Sequence, residues 1–140
     1  MAAQPRFDAI APQFTVPDVR QTAEYYRDVF GFRIDGYWDG DEAHQSADRP
    51  ALFAIVSRDQ VQVFFNRASA AATRTGRADG AYDAYLRIVG VDTLASEFRA
   101  RGAEIVEGPE DRTYGQRELV VRDCNGLILA FGEDISARAT

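Results

Sequence analysis

The sequence predicts an α+β fold: two βαβββ modules whose strands form a curved mixed sheet around a concave cleft. Three features point that way. Strand-like and helix-like stretches run in the order strand, helix, strand, strand, strand, and the same order returns roughly 70 residues later. The two strand-to-helix junctions are alike in kind, Val16-Pro17-Asp18-Val19 in the first half and Ile88-Val89-Gly90-Val91 in the second. Each half has a single amphipathic helix, which covers one face of its sheet and leaves the other to be buried or used.

Residues 10–16 (IAPQFTV) alternate as a strand does. Asp18 then offers an N-cap, and Gln21 three residues later completes a capping box. Ala23, Tyr26 and Phe30 recur at helical spacing until Gly31 ends the helix. Residues 32–38 read as a strand, and the polar, turn-rich stretch 39–50 as a mobile loop. Residues 51–57 and 61–66 form a hairpin, and 67–80, rich in small and polar residues, reads as a linker. The order then repeats: strand 81–89, helix 91–102 with Leu94, Phe98 and the stop Gly102, strand 103–108, loop 109–115, and a last hairpin turning at Asn125-Gly126. The expected organisation is one domain over 1–140, with module one at 8–66, the linker at 67–80 and module two at 81–134.

Composition narrows the function classes. The 140 residues, 46% hydrophobic and 27% charged, are enough for one domain with a real core. The net charge of −6 disfavours nucleic acid and anionic membrane surfaces as partners and favours cationic ligands at long range. All sixteen basic residues are Arg, which reads as compositional bias. Cys124 is the single cysteine, so no internal disulfide is expected, in keeping with a reducing compartment. The chain starts without a basic stretch leading into a long apolar one, and no run approaches the roughly 18 apolar residues of a membrane helix. A cytoplasmic protein is expected.

Strand alternation assigns the faces. Pro12, Phe14 and Val16 should pack on the helix, which turns Ala11, Gln13 and Thr15 to the cleft. Val61, Val63 and Phe65 form the all-apolar set of their strand, so Gln62, Phe64 and Asn66 line the cleft. Asp83, Tyr85 and Arg87 make a polar row on one face, opposite Ala84, Leu86 and Ile88. Tyr37 and Trp38 close a strand beside the polar loop, where aromatic rings stack on planar ligands. The candidate ligand-binding residues are Gln13, Trp38, Gln62, Phe64, Asn66, Asp83, Tyr85, Arg87 and Glu118. Several have a plainer reading: an ion pair of Arg87 with Asp83 or Glu118, packing of Phe64 between the halves, and a dimer contact at Tyr37 and Trp38. His44 reads as a solvated loop residue and Cys124 as incidental. Glu118 and Asp83 together offer a carboxylate pair for acid–base chemistry. No nucleophile elbow, phosphate loop, dinucleotide fingerprint or zinc spacing occurs.

The stretches FTVPDVRQTAEYYRDVFGF, YLRIVGVDTLASEFRARGAEIVEGPED and YGQRELVVRDCNGLILAFGE, in that order, resemble the vicinal oxygen chelate superfamily, which includes glyoxalase I, extradiol dioxygenases and bleomycin-resistance proteins. The resemblance spans residues 8–134 and is nearest to the bleomycin-resistance-like branch. It implies that a metal enzyme of this kind would place its four ligands at Ala11, Gln62, Asp83 and Ala130. Two alanines there leave too few donors for zinc or iron, so neither metal nor other cofactor is expected. The resemblance also implies a homodimer with clefts at the subunit interface. The expected function is metal-free sequestration of an aromatic or cationic small molecule such as an antibiotic. The alternatives are a lyase, dioxygenase, isomerase or cyclase on the same scaffold, with or without a divalent metal, and a partner-binding module with a filled cleft. Whether the modules pair within one chain or across a dimer stays open.

Overall fold

The computed structural model describes residues 3–40, 42–68 and 81–139. The first half consists of β1 (Gln13–Val16), α1 (Val19–Asp28), β2 (Arg33–Trp38), a short β3 (Ala43–His44), β4 (Phe53–Arg58) and β5 (Val61–Arg67). The second consists of β6 (Ala84–Arg87), α2 (Val91–Ala100), β7 (Glu104–Asp111), β8 (Gln116–Arg122) and β9 (Ile128–Asp134), followed by a 3-10 turn at Ser136–Ala139. They form two mixed sheets, ordered β1-β5-β4-β2-β3 and β6-β9-β8-β7. In each, the first strand pairs parallel with the last and the remaining pairs are antiparallel. This is the expected α+β class with its repeated βαβββ plan. The expected linker begins inside β5, since that strand runs to Arg67, and residues 69–80 of it lie outside the described residues.

The helix-facing sides of both sheets share one core. Val16, Val56 and Phe65 from the first and Leu119, Val121 and Phe131 from the second meet Tyr26, Phe30 and Phe98 of the helical layer. Phe98 joins the halves, its ring 5.2 Å from Phe30 and 5.3 Å from Phe131. Polar contacts reinforce the joint. Tyr26 Oη donates to the buried Asp123 at 2.7 Å, and Asn125 Nδ2 donates to Thr22 Oγ1 at 2.9 Å. Arg58 makes a two-pronged pair with Glu97 at 2.8 and 2.9 Å. Asp123 also shapes the last hairpin turn, accepting from the backbone N–H of Asn125 and Leu127, while Gly126 takes φ +81.

The helices are capped differently. Asp18 Oδ1 accepts from Gln21 N at 2.9 Å, the local cap the sequence predicts. At α2 the cap residue is Gly90, and the carboxylate comes from β9, where Glu133 Oε1 accepts from Gly90 N at 3.2 Å and Val91 N at 3.0 Å.

Four local expectations change. The polar stretch 39–50 contains β3, and its described part is tied down. Arg20 donates to the carbonyls of Ser46 and Arg49. His44 is buried, not solvated: Nδ1 accepts from Ser46 N at 3.1 Å, so Nε2 carries the proton and donates to Pro50 O at 2.9 Å. Tyr37 is buried under the guanidinium of Arg20, 4.4 Å from its ring centre, so only Trp38 of that pair reaches the open face. Finally, β7 runs through Pro109 to Asp111, where a loop was expected, because two bulges absorb the irregularity.

Candidate functional site

Because one core takes the inward side of both sheets, each sheet has one open face. Register fixes what stands on each. In the first sheet Gln13 lies opposite Phe64, Phe53 opposite Asn66 and Trp38 opposite Phe53, while Gln62 is two residues from Phe64 on the same side. Gln13, Trp38, Gln62, Phe64 and Asn66 therefore share one face, as strand alternation requires. Phe53 joins them. Its ring is 5.6 Å from Trp38 and 5.6 Å from Phe64, edge-to-face both times. All three rings are half-buried, so part of each meets solvent.

On the second sheet Tyr85 lies opposite Ala130 and Arg87 opposite Gly132, with Glu118 across from Gly132 on the other side. Glu118 is 0% exposed and receives four donors. Tyr85 and Tyr114 hydroxyls each donate to Oε2 at 2.7 Å. Arg112 Nε donates to Oε1 at 3.0 Å, and the Tyr82 hydroxyl reaches the same oxygen at 3.4 Å. A carboxylate has about four lone-pair sites, so Glu118 is saturated. Arg112 also holds Glu107 at 2.7 Å and pairs with Glu110.

This cluster depends on a missing side chain. A Cβ at Gly132 would lie 1.9 Å from the Tyr85 hydroxyl. Glycine there lets the phenol cross β9 and reach the carboxylate on β8. Ala130 works in the same way: with Val120 and Ile128 it forms the buried floor on which Tyr82 packs.

Burial pushes the Glu118 carboxyl up, but the bonds from Tyr114, Tyr85 and Arg112 outweigh it and hold the group below the usual glutamate range. The phenols move the other way. Tyr114 is pushed up to about 12 by its bond to Glu118, with burial second. Tyr85 is raised further, first by burial and then by the same carboxylate. Glu118 is therefore an ionised acceptor, and the phenols keep their protons at neutral pH.

Asp83 stands apart from this cluster. It precedes β6, and its carboxylate accepts from Ile128 N at 2.8 Å, closing the start of the β6–β9 pair. Ile128 and Gly132 are four residues apart on β9, which separates Asp83 from Glu118 by about 13 Å along the strand. The structure thus brings together Tyr85, Arg87 and Glu118 on one sheet and the five first-sheet candidates on the other. Among the described residues no hydrogen bond, ion pair or ring contact joins the two sets.

The sequence reading missed Tyr82, Arg112 and Tyr114. Arg112 and Tyr114 sit in the short connection before β8, which folds back when Arg112 N donates to Gln116 O at 2.7 Å. The available signal was Glu118 itself, a carboxylate directly before Leu119-Val120-Val121, which has to find donors if the strand is buried.

The four positions that the family's metal enzymes use do not fit a metal here. Ala11 and Ala130 offer no donor, and the Asp83 carboxylate is bonded to Ile128 N. Among the described residues no three His, Cys, Asp or Glu side chains gather as a possible ligand set. A groove of about 1140 Å³ runs between the halves, walled by Val61, Leu86, Ile88 and Leu94. Three of its charged groups are engaged, Arg58 with Glu97 and Glu133 with the start of α2, and Asp59, Gln60, Arg87 and Thr93 also line it. The sheet faces are the better candidates.

Solved structures of the same fold include TioX from Micromonospora sp. ML1, which is 21% identical with a TM-score of 0.68, covering 91% of this chain and 99% of its own. A glyoxalase-related enzyme from Clostridium phytofermentans is 16% identical with a TM-score of 0.69, covering 94% and 98%. A glyoxylase/bleomycin resistance protein/dioxygenase domain from Frankia sp. EAN1pec is 14% identical with a TM-score of 0.68, covering 94% and 95%. No curated protein matches the chain in sequence. The family description matches residues 6–131, nearly the whole chain, and with the repeated βαβββ plan it establishes that the chain belongs to the Glyoxalase/Bleomycin resistance protein/Dioxygenase superfamily.

Proposed function

We propose that this chain is a metal-free binding protein that sequesters a planar aromatic small molecule, antibiotic-like in kind, and releases it unchanged. The observation that carries this reading is the row Trp38–Phe53–Phe64, three rings held edge-to-face and partly open to solvent, flanked by Gln62 and Asn66 as hydrogen-bonding groups. Apolar walls with a few placed polar groups are what a small-molecule site requires. The second face supports binding over proton transfer. A base needs a free lone pair, and Glu118 has spent all of its own on Tyr82, Tyr85, Tyr114 and Arg112. An isomerase or cyclase using Asp83 with Glu118 has less support, since the two stand at different points along β9. We place the protein in the cytoplasm as a homodimer, the open face of one copy's first sheet meeting the second sheet of its partner, with neither nucleic acid nor membrane as partner. Among the described residues no helix is long and apolar enough to cross a membrane.

Trp38 is the chain's only tryptophan and so reports on the site directly. Titration with quinoline, acridine and anthraquinone compounds should quench its fluorescence saturably, and chromatography should recover the ligand intact. A ligand that returns chemically altered would replace this reading with an enzymatic one.

A further inference from the structure

The tyrosines around Glu118 have a geometry that a hydrogen-bond anchor alone does not require. Their hydroxyl ends are fixed on the carboxylate, but the rings are not buried with it: Tyr85 is 38% and Tyr114 61% exposed. The Tyr82 and Tyr85 rings stand 6.2 Å apart at 47°, two walls of an open wedge. A phenol that donates to an ionised carboxylate is polarised, with more electron density on its ring face. Glu118 at the root of the wedge shares Arg112 with Glu107 and Glu110, three carboxylates on one guanidinium, so negative charge predominates. An anionic ligand would meet that charge, and it would find the donors of Tyr85, Tyr114 and Arg112 already directed at Glu118. The chain's own chemistry marks the preference, since the Arg87 guanidinium lies over the Tyr85 ring, 5.9 Å from its centre.

We propose that the wedge of Tyr82, Tyr85 and Tyr114 takes the positively charged part of a planar organic cation, and that Arg87 occupies the Tyr85 ring until such a ligand displaces it. This rests on the binding function proposed above and adds a charge requirement to it. Arg87, a ligand anchor in the sequence reading, becomes a competitor that sets selectivity. The natural ligand class is an N-alkylated heteroaromatic or another delocalised cation, flat enough to enter where the guanidinium lies.

Calorimetry on the whole protein with N-methylquinolinium and with quinoline, uncharged at neutral pH, isolates the charge from the ring. The cation should bind about fivefold tighter or more, within the range of a cation on aromatic faces. In Arg87→Gln, an exposed change remote from the core, that preference should widen by about twofold or more, because the resident cation is gone. Equal binding of the two probes would overturn the charge requirement and leave the binding function standing. A preference that narrows in Arg87→Gln would overturn the competitor role. Failure of both probes to bind at millimolar concentration would remove the binding function and this inference with it.

Discussion

The open face of the first sheet is built mainly on rings: Trp38 meets Phe53 and Phe53 meets Phe64, with one small polar cluster where Arg33 and Asp35 meet at Ser57. The open face of the second sheet is held by one ion, Glu118, with three phenols and a guanidinium converging on it. Both faces stand on the same strand plan, with a parallel first-to-last pair and the helix behind. What separates them is a few side chains, above all glycine at 132, which lets Tyr85 cross to Glu118. Edge-to-face rings tolerate adjustment. A saturated buried carboxylate does not, because moving any donor exposes an uncompensated charge. The first face is thus the adaptable half of the site and the second the rigid half.

The largest effect should follow from removing the ion. Glu118→Ala leaves three tyrosine hydroxyls and the Arg112 Nε without their acceptor, Glu107 and Glu110 keeping the rest of the guanidinium paired, at a cost of about 3 kcal/mol in urea unfolding. Phe64→Ala on the first face, where the ring is only half-buried, should cost about 1–2 kcal/mol. Equal losses would erase the distinction between the faces. Gly132→Ala comes next. The new methyl displaces the Tyr85 hydroxyl from Glu118 and should cost about 1–3 kcal/mol, with the double change Gly132→Ala, Tyr85→Phe costing less than the sum. Additive losses would show that the crossing over Gly132 carries no strain.

Titration sharpens the comparison, because Glu118, Tyr85 and Tyr114 of the second face are shifted together. Glu118 titrates below its ordinary value in the folded chain. Its contribution to stability is therefore complete above about pH 4.3 and drains away as pH falls through the lowered folded value. Tyr114 shifts upward, to about 12, so its contribution holds below the ordinary phenol value and is lost as pH rises toward about 12. Phenolate absorbance should show a tyrosine ionising near 12 that is absent in Tyr114→Phe. The smallest effects concern the caps. Asp18→Ala and Glu133→Ala should each cost about 1 kcal/mol. Only the second should also loosen β9 against α2, read as faster amide exchange at Gly90 and Val91.

Much of this was legible in the sequence, because period-two alternation and helical spacing report on burial directly. The pattern of Val61, Val63 and Phe65 against Gln62, Phe64 and Asn66 placed the first face, and Asp18 announced its own helix. What stayed hidden depends on contacts between distant positions. The capping of α2 by Glu133 spans more than forty residues, and His44 looks like any loop histidine until Pro50 and Ser46 close on it. The rigid half was hidden for the same reason. Glu118 stood out as a carboxylate and a possible partner of Arg87, but its donors Arg112 and Tyr114 lie in an irregular stretch that carries no period. Asp83 shows the converse error: the strand begins at Ala84, three residues later than expected, so a presumed face residue ties two backbones together.

Titration of Trp38 fluorescence with a planar aromatic ligand, alongside Phe64→Ala, tests the central claim most directly. Saturable quenching in the micromolar range, weakened tenfold or more by removal of the Phe64 ring, with the ligand recovered intact, is the predicted result. Quenching that stays linear to millimolar ligand, or a saturable signal indifferent to Phe64, would contradict it.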